Sequence, residues 1–65
     1  MDYRIGSIII YKTFGGTLRE VEVTNKDDDI KNGCSGFDGN LLNSNGRYVD
    51  EVWGYDDQII SVVKY

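Results

Sequence analysis

The stretch SIIIYKTFGGTLREVEVT, residues 7 to 24, sets two β-rich runs on either side of a glycine pair. Residues 7 to 14, SIIIYKTF, are dense in β-branched and aromatic side chains, which fit a pleated, half-buried surface. Gly15-Gly16 tolerates the positive φ angles of a tight hairpin turn. Residues 17 to 24, TLREVEVT, read as the return strand. Arg19, Val21 and Val23 share one parity, and Leu18, Glu20, Glu22 and Thr24 share the other. Successive strand side chains point to opposite faces, so Val21 and Val23 are expected in the core and the glutamates in water.

The rest of the chain repeats this pattern. Residues 25 to 33, NKDDDIKNG, read as a polar break, with three repelling aspartates and an Asn32-Gly33 turn pair. A short strand is expected at 36 to 42, and Asn45-Gly46 suits a type I′ hairpin turn. Residues 47 to 53, RYVDEVW, form a fourth strand whose period slips. Tyr48 and Val52 share one parity, Val49 and Trp53 the other, so either both faces are covered or a bulge lies near Asp50-Glu51. The last strand, 58 to 64, is apolar on both parities and is expected to lie centrally. Helical character is confined to one turn at residues 54 to 58.

Five short strands at regular spacing point to an all-β fold, and closure into a barrel removes exposed edges. A first hairpin, a long loop at 25 to 35, a tight turn and one helical turn before the last strand match the order of a small five-stranded SH3-like barrel. With 65 residues the chain is a single domain, residues 1 to 65, and buries a modest share of its surface.

Composition narrows the function. A lone Cys34 precludes an internal disulfide, which favours a reducing cytoplasm. The longest unbroken apolar run, Ile8 to Tyr11, is far short of a membrane span, and MDYRIGS lacks the form of a signal peptide. A net charge of −4, with seven scattered Lys and Arg, disfavours nucleic-acid binding through phosphates. Histidine is absent, which removes Ser-His-Asp and Cys-His catalysis and, with a single Cys, a zinc site. The run at 27 to 33 lacks the alternating acids and closing Glu of a calcium loop. GCSGFDG, residues 33 to 39, follows no strand-into-helix unit and carries no Lys, so it is no phosphate cradle. Cys34 has only Lys31 nearby in sequence to activate a thiolate and reads as an ordinary loop or half-buried residue. No cofactor is implied.

Asp56-Asp57 invites comparison with a carboxylate pair. Adjacent residues do not converge on one substrate in a strand or a helix, whereas acid–base catalysis needs two converging carboxyls with separated pKa values. Capping of a helical turn and solvation are the better reading. Trp53 is either a core anchor or a surface platform, and both stay open. Tyr55, between Gly54 and Asp56, is expected to be partly exposed. Five Tyr, two Phe and one Trp exceed what a small barrel can bury, and rings of this kind are enriched at binding hot spots.

GFDG, residues 36 to 39, followed by VWGYDDQI, residues 52 to 59, resembles a pattern of small, mostly uncharacterised bacteriophage proteins with an SH3-like barrel. The resemblance implies a phage origin and a host bacterial cytoplasm, but no activity, cofactor or catalytic residue. Residues and resemblance together point to a non-enzymatic protein-binding module. It would dock on a host or phage protein through Phe37, Trp53, Tyr55, Asp56 and Asp57, as an inhibitor or a nucleic-acid mimic. The alternative is a structural or virion-associated protein that self-associates.

Overall fold

A computed structural model describes residues 2–65. The elements are β1 (Ile8–Lys12), β2 (Leu18–Lys31), β3 (Cys34–Leu42), β4 (Tyr48–Tyr55), a 3-10 turn (Asp56–Gln58) and β5 (Ile59–Lys64). The fold is all-β. The strands form one antiparallel sheet in the order β4-β3-β2-β1-β5, and no ladder joins β4 to β5 among the described residues. No helix among them is long and apolar enough to cross a membrane.

Although the ladder is open, the sheet is strongly curled. Strands pair about 4.8 Å apart, so the outer strands of a flat five-stranded sheet would be about 19 Å apart. Only Asp56 to Gln58 separate β4 from β5. Even fully extended, four residue steps from Tyr55 to Ile59 cover about 14 Å, and a 3-10 turn covers less. The edges must therefore approach each other at this end.

The concave face holds the core: Tyr3, Ile9, Tyr11, Val21, Val23 and Phe37, with Leu41, Val52, Ile59 and Val62 packed against it. Val21 and Val23 are buried as their parity requires. Tyr3 and Tyr11 each meet Phe37 edge-on, at ring separations of 6.2 and 5.4 Å. Fully buried Ser7 accepts from the Arg4 N–H (2.9 Å) and donates to the Tyr65 carbonyl (3.1 Å), tying the segment before β1 to the residue after β5.

Three expectations need correction. First, residues 25 to 31 are strand, not loop, because β2 runs on to Lys31 and pairs with β3. Side-chain polarity reports what meets water; it does not stop backbone pairing. Asn32 and Gly33 (φ 56° and 76°) make the two-residue turn that polarity alone blurred into a loop. Asp29 supports it by accepting the Gly33 N–H at 2.7 Å. Second, the Asn45-Gly46 turn is a three-residue loop rather than type I′. Gly46 alone takes positive φ, its N–H donates to the Asn43 carbonyl (2.9 Å), and Asn43 Oδ1 accepts from the Asn45 and Arg47 N–H groups.

Of the two readings of the slip in β4, the bulge is the one found: it lies at Val49, beside Asp50, between the pairs Leu41↔Asp50 and Leu42↔Tyr48. Third, β5 is an edge strand, not a central one. Bulges skip Ile60 and Val63 in its pairing with β1, and both are half exposed, at 50% and 54%. These bulges put apolar side chains on both faces, which mimics the composition of a central strand.

Candidate functional site

On β4 the residues alternate cleanly beyond the bulge. Val52 packs against the core, and Gly54 is buried beneath Phe37, where a Cβ would meet the ring at 2.8 Å. A glycine is needed there by close approach alone. The opposite parity turns Trp53 and Tyr55 to the convex surface, where both are partly exposed and their rings meet edge-on at 5.3 Å. The surface reading of Trp53 therefore holds for its ring, with part of it covered by neighbours.

Two hairpin tips converge on this pair. Thr13 to Thr17 form a turn with the same hydrogen bonds as 43 to 47: Gly16 N–H to the Thr13 carbonyl (2.9 Å) and Thr13 N–H to the Thr17 carbonyl (2.8 Å). Its second residue, Phe14, is 75% exposed and lies 6.2 Å from the Trp53 ring and 6.0 Å from the Tyr55 ring. From the β2–β3 tip, Lys31 Nζ sits 4.5 Å over the Trp53 ring, and Asn32 Nδ2 donates to the Tyr55 hydroxyl at 3.3 Å. Phe14 was not among the sequence-derived site residues, having been assigned to the first strand. The signal was a large apolar ring directly before Gly-Gly, a place in a turn from which no core can be reached.

Phe37 leaves the site. It is 0% exposed at the centre of the core and cannot meet a partner while the chain is folded. Gly54 clears the space its ring fills, whereas a Cβ at Gly36 would strike Ile30 and the Gly54 carbonyl and one at Gly39 would strike Val21 and the Glu22 carbonyl. Asp56 belongs to the architecture as well, because it accepts the Tyr3 hydroxyl at 2.5 Å, with the Gly36 carbonyl at 3.2 Å from the same oxygen. Burial first, and then the Asp56 hydrogen bond and charge, raise the Tyr3 pKa well above the usual phenol range. Lys26 completes this corner. Its Nζ donates to the Tyr3 carbonyl at 2.6 Å and lies 4.1 Å over the Tyr3 ring.

Asp56 does not cap the 3-10 turn as expected. Gln58 does that work, accepting the Tyr55 N–H at 2.8 Å and donating to the Lys12 carbonyl at 2.8 Å. Asp57 is exposed and has no hydrogen-bond partner among the described residues. With Asp56 committed to Tyr3, the two aspartates do not act as a pair.

Beside Trp53 lies a shallow groove of about 300 Å³ on the convex face of β2, β3 and β4. Thr24, Asp38, Asn40, Glu51 and Trp53 line it, and Gly39 and Val52 complete its floor. Asp38 stands opposite Trp53 and Asn40 opposite Glu51 in the β3–β4 register. Asn25 Nδ2 donates to Asp38 Oδ2 at 3.3 Å. The site is thus an aromatic ridge of Phe14, Trp53 and Tyr55 with an acceptor-rich groove along one side. Compared with protein-family models, curated proteins and solved structures, the chain matches none.

Proposed function

We propose that this chain is a non-enzymatic protein-binding module that docks on another protein through Phe14, Trp53 and Tyr55, with Asp57 and the groove acids at the margin. The observation that carries this reading is the outward aromatic ridge, with Phe14 75% exposed at its crest. A ridge held by its own ring–ring contacts loses little side-chain entropy on docking, and rigid aromatic anchors dominate interface energetics. The net charge of −4 favours a partner with a basic surface and steers their encounter.

In this proposal the curled sheet is an SH3-like barrel, with the 3-10 turn bringing its edges together. The resemblance of GFDG and VWGYDDQI to phage proteins supports a phage-encoded protein working in a host bacterial cytoplasm. There it would occupy a host or phage protein as an inhibitor, including by mimicry of nucleic acid.

The test is affinity capture from bacterial lysate with the wild type, Phe14→Ala and Ile60→Lys as baits, followed by calorimetry on the retained protein. Docking on the ridge predicts a partner kept by the wild type and Ile60→Lys, lost by Phe14→Ala, and bound more weakly as salt rises. A partner retained equally by all three baits would overturn it.

A second reading is a self-associating structural or virion-associated protein, and half-exposed Ile60 and Val63 on edge strand β5 favour it. It predicts a concentration-dependent dimer in sedimentation that Ile60→Lys dissolves. A strict monomer removes it.

A further inference from the structure

The geometry points to the groove beside Trp53 as a receptor for an arginine side chain of the partner protein. This inference rests on the protein-binding reading and adds the chemistry of what enters the groove.

Nearly every polar side-chain group in the lining can accept a hydrogen bond. Asp38 and Glu51 bring carboxylates, Asn40 an amide, Thr24 a hydroxyl, and no basic residue lines the groove. The fitting ligand is therefore a cation rich in donors. The strand register sets the spacing. Asp38 faces Trp53, and Glu51 stands two residues before Trp53, so the carboxylates are diagonal neighbours on adjacent strands. Diagonal pairs lie about 7–8 Å apart at the backbone, wide enough for a planar group to sit between them and bond to both. A guanidinium offers five donors in a fixed fork, whereas an ammonium is a compact point charge.

One face of the indole is already covered by a cation of the chain itself, which leaves its groove-side edge to pack against an aliphatic stem. Lys31 Nζ already lies 4.5 Å over the Trp53 ring, from outside the groove. An arginine entering along the sheet would bond to the carboxylates and lay its stem against the groove-side edge of the same indole.

The experiment is an amide-resolved NMR titration of the labelled full chain with acetyl-Gly-Arg-Gly-amide, and with the same peptide carrying citrulline. Citrulline keeps the shape and loses the charge. The expected result is a set of shifts centred on Asp38, Asn40, Glu51 and the Trp53 indole, with binding roughly tenfold weaker for citrulline, the size of one lost charge-assisted contact. Asp38→Asn with Glu51→Gln should abolish the shifts, and Lys31→Ala should leave them. If the double variant loses its dispersed spectrum, Glu51→Gln alone carries the test, since the Glu51 side chain is exposed.

Equal shifts with both peptides, or shifts centred elsewhere, overturn the inference. A protein partner lost by Phe14→Ala but kept by the groove variants would leave docking standing without the arginine. Arginine-specific shifts with no partner that depends on Phe14 would do the reverse.

Discussion

Two aromatic trios occupy opposite faces of the same curled sheet. Inside, Tyr3 and Tyr11 meet Phe37 edge-on at 6.2 and 5.4 Å, with interplanar angles of 87°. Outside, Phe14, Trp53 and Tyr55 meet one another at 5.3 to 6.2 Å and 60° to 86°. The pair geometry is nearly the same, and such pairs contribute about 0.5–1.5 kcal/mol beyond area burial in either place. What differs is the water removed. The inner rings are 0 to 5% exposed, whereas Phe14 alone keeps 75% of its surface in solvent. Edge-to-face packing is therefore no sign of a core. On the inner face it adds to burial, and on the outer face it holds rings in place while leaving them in contact with solvent.

The strongest way to break this comparison is to remove the centre of the inner trio. Phe37→Ala should cost about 3–5 kcal/mol. A domain of this length holds roughly 3–10 kcal/mol in total, so urea denaturation should find the variant largely unfolded. Gly54→Ala attacks the same ring from β4, where the new Cβ falls 2.8 Å from Phe37 Cζ. Overpacking of this kind costs about 1–3 kcal/mol, and the melting temperature should drop accordingly.

A subtler test uses pH. Burial raises the folded-state pKa of Tyr3 and of Tyr11 above the ordinary 10.0, with the Arg19 charge opposing the shift at Tyr11. A raised pKa means the folded chain holds these protons more tightly than the unfolded one. The associated stability is present in full below pH 10.0 and drains away as pH climbs past it. Urea midpoints should fall in that alkaline window, and less steeply in Tyr3→Phe. At neutral pH, Tyr3→Phe should lose about 1 kcal/mol, the worth of one hydrogen bond.

Phe14→Ala should move stability least, by about 0.5 kcal/mol, while removing the captured partner. A large loss of stability in Phe14→Ala would show that the outer trio is structural after all.

How far the sequence revealed this arrangement follows from what each local signal measures. Val21 and Val23 were legible because a clean two-residue period reports one buried face. The Asn32-Gly33 turn was legible because both residues tolerate positive φ. The long β2 was hidden behind Asp27, Asp28 and Asp29, whose polarity describes side chains and not the ladder. β5 looked central because its bulges at Ile60 and Val63 break the parity rule. At the site, Tyr55 and Asp57 were expected at the surface and are found partly and fully exposed, whereas Trp53 had been left open between core and surface and only the sheet's parity decides it. Phe37 and Phe14 were effectively exchanged. Only the pairing of β3 with β4 shows that Gly54 lies against the Phe37 ring, and only the curl of the sheet brings Phe14 to Trp53.

The hydrogen bond from Tyr3 to Asp56 joins residues 53 positions apart. During synthesis, Tyr3 emerges early and Asp56 near the end of these residues, so the ring must wait for most of the sheet to be made. Until then Tyr3, Tyr11 and Phe37 have no complete enclosure, and loop closure over such a separation is slow. A chain ending before β4 would lack Gly54 and Asp56, so Tyr3 would lose its carboxylate partner and the Phe37 ring the strand that covers it.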